Sequence, residues 1–192
     1  MKSTYLMILG LAIMLFSCDI QDLNDVGLIK EEDYEHIADG ITARTAQKLK
    51  KEKGVVCIGT GGGMMGNIYN MHMGFQFFHE VDLQEARKLL VSVIDEYLYE
   101  INSSTRVRPY LCEYPYTVKG IEISIWIQKP NGSDVPLDEI DYISAIDGVL
   151  TYYLCNAPED YKRRSIHQEI YEQAVEIINK EKASAECEDK AS

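Results

Sequence analysis

Two periods of apolar recurrence run along this chain, and they separate the segments that coil from those that extend. From about Lys30 to Lys53, Tyr34, Ile37, Ala38, Ile41, Thr45 and Leu49 return every three or four positions, which predicts a helix with one buried face. Lys48, Lys50, Lys51 and Lys53 gather in its last turns, where cations suit the helix dipole, and Gly54 is a natural stop. The clearest helix spans Val81 to Ser103. Asp82-Leu83-Gln84-Glu85 reads as an aspartate form of the capping box, and Leu83, Ala86, Leu89, Leu90, Val93, Ile94, Tyr97, Leu98 and Ile101 form an unbroken stripe. Period two takes over in Ile68 to Phe78, where Tyr69, Met71, Met73, Phe75 and Phe77 alternate with Asn70, His72, Gly74 and Gln76. It returns where Ile121, Ile123, Ile125 and Ile127 alternate with Glu122, Ser124, Trp126 and Gln128. Ile140 to Ile146 and Val149 to Cys155 read as two strands joined at Asp147-Gly148, a tight hairpin signal. A last helix is predicted from Pro158 to about Lys182, with Ile166, Ile170, Ala174 and Ile177 on one face, and Ala183 to Ser192 reads as a disordered tail.

Between these elements, Val55 to Ile58 is a short apolar run that leads into Gly59-Thr60-Gly61-Gly62-Gly63-Met64-Met65-Gly66. Such a density of glycine predicts an irregular connection. Residues 104–119, with Pro109 and Pro115, predict a loop, and Pro130 to Asp134 a turn. Helices set apart from strands joined by short turns predict an α+β fold. The expected form is a two-layer sandwich, mainly antiparallel sheet with helices packed on one face.

The first residues follow another logic. Lys2 gives a short positive start, Tyr5 to Phe16 is an apolar run broken only by Gly10, and Leu15-Phe16-Ser17-Cys18 ends the run on a small residue and a cysteine. This is the three-part plan of a secretory signal, and its apolar run is shorter than the roughly 20 residues that span a bilayer. Leu-x-small-Cys in this position resembles the lipobox of bacterial lipoproteins. The resemblance implies a diacylglyceryl group on Cys18, cleavage before it, and acylation of the new amino terminus. Two or more acyl chains give stable attachment where one does not. The expected organisation is a signal peptide over 1–17, a lipidated tether over 18–29, a single α+β domain over 30–182 and a tail over 183–192. The expected location is the extracytoplasmic face of a cell membrane. Asp19 resembles the inner-membrane retention signal of enterobacterial lipoproteins, a rule that does not carry between all bacteria, so inner and outer membrane both stay open.

Charge narrows the partners. The chain of 192 residues has 19 basic against 31 acidic residues, a net charge of −12. Lys2 is the basic residue of the leader, so the remainder is more acidic still. Nucleic-acid binding needs Lys and Arg to neutralise phosphates, so no nucleic acid is expected as a partner. The partners expected instead are the membrane, through the anchor, and an envelope protein or small ligand. Cys57, Cys112, Cys155 and Cys187 remain once Cys18 is lipidated; in an exported chain they permit one or two disulfides, in pairings that sequence does not choose. No two cysteines and no histidine pair have zinc-ligand spacing, and neither a metal nor a cofactor is expected.

The candidate chemistry is sparse. Gly61-x-Gly63-x-x-Gly66 has the spacing of the dinucleotide fingerprint, but strand-like alternation follows it where that motif needs a helix N-terminus. What remains is that Gly61, Gly62, Gly63 and Gly66 permit close backbone approach to a ligand or partner. The loop Arg106-Val107-Arg108-Pro109-Tyr110, with Tyr114-Pro115-Tyr116, carries residue types enriched at binding hot spots, so Arg108, Tyr110 and Tyr114 are further candidates. His72 falls on the polar face of its strand beside Asn70 and Gln76. The glycine stretch together with Arg108-Pro109-Tyr110-Leu111 and Tyr114-Pro115-Tyr116 resembles lipoproteins of unknown function from intracellular bacteria over residues 55–155, which implies no activity. Two readings follow. The first is a lipid-anchored binding or interaction module without catalysis; the alternative is an envelope hydrolase using carboxylates or His72.

Overall fold

The alternation of apolar residues is spent on one face of a sheet. In the computed structural model, which describes residues 33–156 and 163–189, the elements run α1 (Asp33–Lys53), β1 (Val56–Met65), β2 (Asn67–Phe77), α2 (Leu83–Ser103), β3 (Ile121–Ile127), β4 (Ile140–Ile146), β5 (Val149–Leu154), β6 (Arg164–Ile170) and α3 (Tyr171–Asp189). The strands form one six-stranded sheet in chain order. β2 and β3 are parallel, with α2 as the crossover between them, and every other neighbour pair is antiparallel. This is the α+β architecture that the pattern predicts. Leader, Cys18 and tether lie outside the described residues.

Register lines up the core. Phe75 pairs with Ile125, Ile125 with Ile143 and Ile143 with Tyr152, so one row of buried side chains crosses four strands. Ile123, Ala145 and Leu150 make the next row. Against them α2 lays Ala86, Leu90, Val93, Ile94 and Tyr97, all fully buried. Its start is fixed by the capping box: Glu85 N–H donates to Asp82 Oδ1 at 2.8 Å, and Asp82 N–H to Glu85 Oε2 at 3.1 Å. The other helices flank α2. Lys48 reaches Glu96 at 2.6 Å and Thr42 Oγ1 lies 2.9 Å from Tyr97 OH on the α1 side. On the α3 side, Lys88 reaches Glu181 at 2.9 Å and Tyr171 OH donates to Asp95. The Asp147-Gly148 turn has φ of 50° and 75°, the doubly left-handed turn that suits twisted hairpin strands.

Four expectations are corrected. The glycine stretch is not an irregular connection: it is most of β1, paired with β2 from Val56 to Met65. Glycine is a weak strand former on its own, and pairing with the well-formed β2 overrides that weakness. At Gly62 the pairing demands glycine, because a Cβ there would stand 2.6 Å from the Asn70 carbonyl oxygen. Next, the helix predicted from Pro158 does not cover Arg164–Ile170, which is β6; α3 begins at Tyr171. Ile166 and Ile170, the supposed buried face, are 44% and 46% exposed, while Glu169 between them is buried. Third, α3 continues past Lys182 to Asp189, so much of the expected tail is helical. Last, Tyr69 does not share a face with Met71. Gly63 pairs with Asn70 and Met64 with Ile68, so Tyr69 is the extra residue of a bulge and swings outward while Ile68 takes the buried position.

Candidate functional site

The residues singled out from the sequence meet at one end of the sheet. Gly66, at φ +74°, turns β1 into β2, and its N–H donates to Tyr34 OH at 3.2 Å. The Tyr34 ring stacks on Tyr110 at 5.2 Å, and Leu111 bridges Ile68. The glycine turn and the Arg/Tyr loop are thus tied together through α1. Arg108 lies over the Tyr114 ring at 4.3 Å and occupies the ring face that a ligand cation would use. Gly61 and Gly63 alternate with Gly62 along β1, and Gly63 N–H is turned inward to the Asn70 side-chain carbonyl. His72 stands opposite Gly61 and Glu122 in the register.

A richer constellation sits at the opposite end, on the sheet face that the helices leave open. Cross-strand register sets Gln76 beside Trp126, Trp126 beside Tyr142 and Tyr142 beside Tyr153. The rings form a ladder, with centroids 5.1 Å and 5.4 Å apart. Trp126 lies against β2 where that strand has Gly74; a Cβ on Gly74 would stand 3.4 Å from the indole. Ser124 Oγ and Tyr142 OH are hydrogen-bonded at 2.9 Å. Between this ladder and the ends of β1 and β5 opens a pocket of about 390 Å³, lined by Ile58, Gln76, Trp126, Gln128, Asp134, Asp141, Cys155 and Arg163. That volume falls in the range of small-molecule sites.

Asp141 enters this pocket because β4 bulges. Ile140 pairs with Leu154 and Tyr142 with Tyr153, leaving Asp141 as the extra residue, and a bulge re-aims its side chain. Its Oδ2 lies 3.4 Å from Arg163 Nε, and Arg163 also covers the Tyr142 ring at 4.6 Å. Asp141 Oδ1 is buried without a partner. Burial raises the carboxyl above its usual range; the Arg163 guanidinium opposes that shift, and Asp134 adds to it. Burial and the Asp141 charge also raise the Cys155 thiol, which keeps it protonated and dull as a nucleophile. A half-buried aromatic ladder, an acid with a free oxygen, amides and a guanidinium can stack on a small ligand and orient it by hydrogen bonds.

A second polar cluster serves the fold. Arg87 on α2 donates from Nε to Glu169 Oε1 at 2.7 Å, and Tyr152 OH donates to the same oxygen at 2.8 Å. His167 Nε2 is 3.5 Å from Glu169 Oε2. Burial alone would raise Glu169, but the hydrogen bonds from Arg87 and Tyr152 outweigh it and hold the carboxyl below its usual range. The same burial and bonding push the Tyr152 hydroxyl up. The pair pins β6 to the helix layer.

No protein-family model matches this chain, and searches of curated proteins and of solved structures give no match. The site is therefore read from its own geometry. Of the binding candidates the sequence singled out, none lines the open-face pocket; Cys155, considered there for disulfides alone, does line it, and Trp126, Asp141 and Arg163 were missed. One signal was available: Ile140-Asp141-Tyr142-Ile143 places two residues between buried isoleucines where strict alternation places one. Cys57, Cys112 and Cys155 are free thiols, and the Cys187 side chain lies outside the described residues. Among the described residues no group of three His, Cys, Asp or Glu side chains is placed to hold a metal, and no helix is long and apolar enough to cross a membrane.

Proposed function

We propose that this chain is a lipid-anchored protein of the cell envelope, attached through Cys18 on the extracytoplasmic face, whose α+β domain is a binding module. The observation that carries the binding reading is the convergence of Trp126, Asp141, Gln76 and Arg163 on one open-face pocket, with Tyr142 packed behind Trp126 and Arg163. Such a pocket is built to hold a small ligand with a flat or apolar face and hydrogen-bonding edges. The anchor rests on the signal-like leader and on Leu15-Phe16-Ser17-Cys18. Trp126 is the sole tryptophan of the chain, so its fluorescence reports directly on this pocket. Titration with panels of sugars, amino acids and short peptides should change that emission for one class of ligand. Asp141→Asn should weaken the change at least tenfold with a melting temperature no lower than that of wild type. Ligand binding that leaves Trp126 emission and Asp141→Asn affinity untouched would move the site elsewhere.

The hydrolase reading keeps one specific support. Asp141 and Asp134 line the same pocket, and their surroundings differ: one carboxyl is half-buried and raised, the other exposed. A raised, half-buried acid beside an exposed carboxylate is the arrangement that splits acid and base roles in hydrolysis. Under that reading the pocket ligand is consumed, and both Asp141→Asn and Asp134→Asn lose turnover while binding survives. A ligand recovered unchanged after prolonged incubation selects the binding module.

A further inference from the structure

No Asp, Glu, Lys or Arg stands between Lys53 and Glu80, while the helices on either side of this stretch are densely charged. This stretch contains β1, and β1 is an edge of the sheet. Edge strands ordinarily carry charges, prolines or covers that stop them pairing with other chains. The opposite edge follows that rule: β6 opens with Arg164, paired with Asp138 at 2.7 Å, and holds His167 and Glu169. β1 carries neither charge nor proline, and its bulge at Ile58 leaves the run from Gly59 to Gly63 in regular register with β2. It runs ten residues, exposes Ile58 and Met65 near its two ends, and presents the glycine backbone between them. Gly63 N–H is turned inward to Asn70, so by strand alternation the N–H groups of Thr60 and Gly62 point outward.

We propose that β1 is an acceptor edge on which an extended, lysine- or arginine-bearing segment of another protein adds as a further strand. Main-chain pairing supplies the affinity in this mode, and flanking side chains supply the choice of partner. The flanking side chains here are acidic. Glu35 and Asp39 of α1 overhang Thr60, Gly61 and Gly62 across a cleft of about 320 Å³. A cation carried by the incoming strand meets both carboxylates there. A second copy of this chain fits less well: its own β1 is uncharged, and antiparallel pairing of two edges brings both pairs of Glu35 and Asp39 to the same face of the joined sheet. Electrostatic complementarity selects the basic segment over the copy.

The test uses the full chain in detergent and a fluorescent probe peptide of ten residues, alternating threonine and valine with three lysines, beside versions with glutamate for lysine and with a central proline. The lysine peptide should bind at least tenfold more tightly than the glutamate peptide, and the proline peptide should fail. On binding, the amides of Thr60 and Gly62 should gain protection from hydrogen exchange. Thr60→Pro should abolish binding by removing an outward donor. Since that variant could also unfold β1, Glu35→Gln with Asp39→Asn provides the second arm; it should leave melting unchanged and erase the preference for lysine. Equal binding of lysine and glutamate peptides, or protection confined to the open-face pocket, would overturn the proposal. So would dimers by light scattering that Thr60→Pro dissolves, since they would assign the edge to a second copy.

Discussion

Arg87 and Glu169 are 9% and 4% exposed in their side chains, and they face each other at 2.7 Å between α2 and β6. The consequence of cutting one partner follows from that burial. Arg87→Ala leaves a buried carboxylate with Tyr152 as its hydroxyl donor, and Glu169→Ala leaves a buried guanidinium. Removing one member of a buried pair costs about 3–5 kcal/mol, because the survivor keeps its desolvation without its partner. With a urea dependence of about 2 kcal/mol per molar, either change should lower the unfolding midpoint by roughly 2 M. Replacing both with apolar residues of similar volume, Arg87→Met with Glu169→Leu, should recover part of that loss, since neither charge remains buried while the Tyr152 hydroxyl loses its acceptor. The acid limb supplies an independent readout. Glu169 has a lowered carboxyl in the folded protein, so its contribution is complete above the ordinary glutamate value near 4.3 and fades as pH falls through the lower folded value. Glu169→Gln should flatten that part of the stability curve. Urea unfolding followed by circular dichroism measures all of these. A single variant within 1 kcal/mol of wild type, or a double variant as unstable as the worse single, would refute the assignment of this pair as a coupled buried bridge.

Further outcomes follow from other positions. Ile123→Ala should cost about 2–5 kcal/mol, because Ile123 is fully buried under α2; a loss within about 0.5 kcal/mol would place it outside the core. Gly62→Ala should destabilise measurably while Gly59→Ala stays near neutral, since a Cβ meets the Asn70 carbonyl at 2.6 Å in the first case and nothing within 4 Å in the second; equal melting temperatures would show that the strand relaxes. Asp141 contributes in the opposite sense to Glu169. Its raised carboxyl disfavours the folded state progressively as pH climbs from the ordinary aspartate value towards the raised one, so the stability Asp141→Asn gains over wild type should open through that window and persist above it. Cys18→Ser should release the protein from the membrane fraction or leave its leader uncut; wild-type fractionation and mobility in that variant would end the lipidation reading.

The parts of the fold that could be read from residues are those where local and tertiary preferences agree. α2 has its capping box, its stripe and its burial in one segment, and β3 alternates isoleucine with polar residues without a break. Asp147-Gly148 announces its turn because few other residue pairs accept two left-handed conformations. Reading failed where a partner decided the outcome. Gly61 to Gly63 have no strand preference of their own and become a strand because β2 lies beside them. Ile166 and Ile170 sit at helical spacing, yet pairing with β5 and the pull of Arg87 on Glu169 make the segment extended. The pocket was hidden for the same reason. Gln76, Trp126 and Asp141 come from three different strands, β2, β3 and β4, and register and a bulge, neither visible as a local motif, bring them together.

The coincidence of chain order and sheet order also bears on how the protein forms. Each strand pairs with the one made just before it, and the longest step is the α2 crossover from β2 to β3. Sheets assembled from such nearby pairings avoid the entropy of closing long loops and fold quickly for their size. A chain threaded outward from its amino end can therefore add strands one after another without waiting for its far end. Arg87 and Glu169, separated by 82 positions, depart from this pattern, as do the contacts of α3 with α2. The encounter of Arg87 with Glu169 comes after β6 has been delivered, so the bond that fastens the last strand acts as a late lock, one that should set how fast the finished protein unfolds more than how fast it forms.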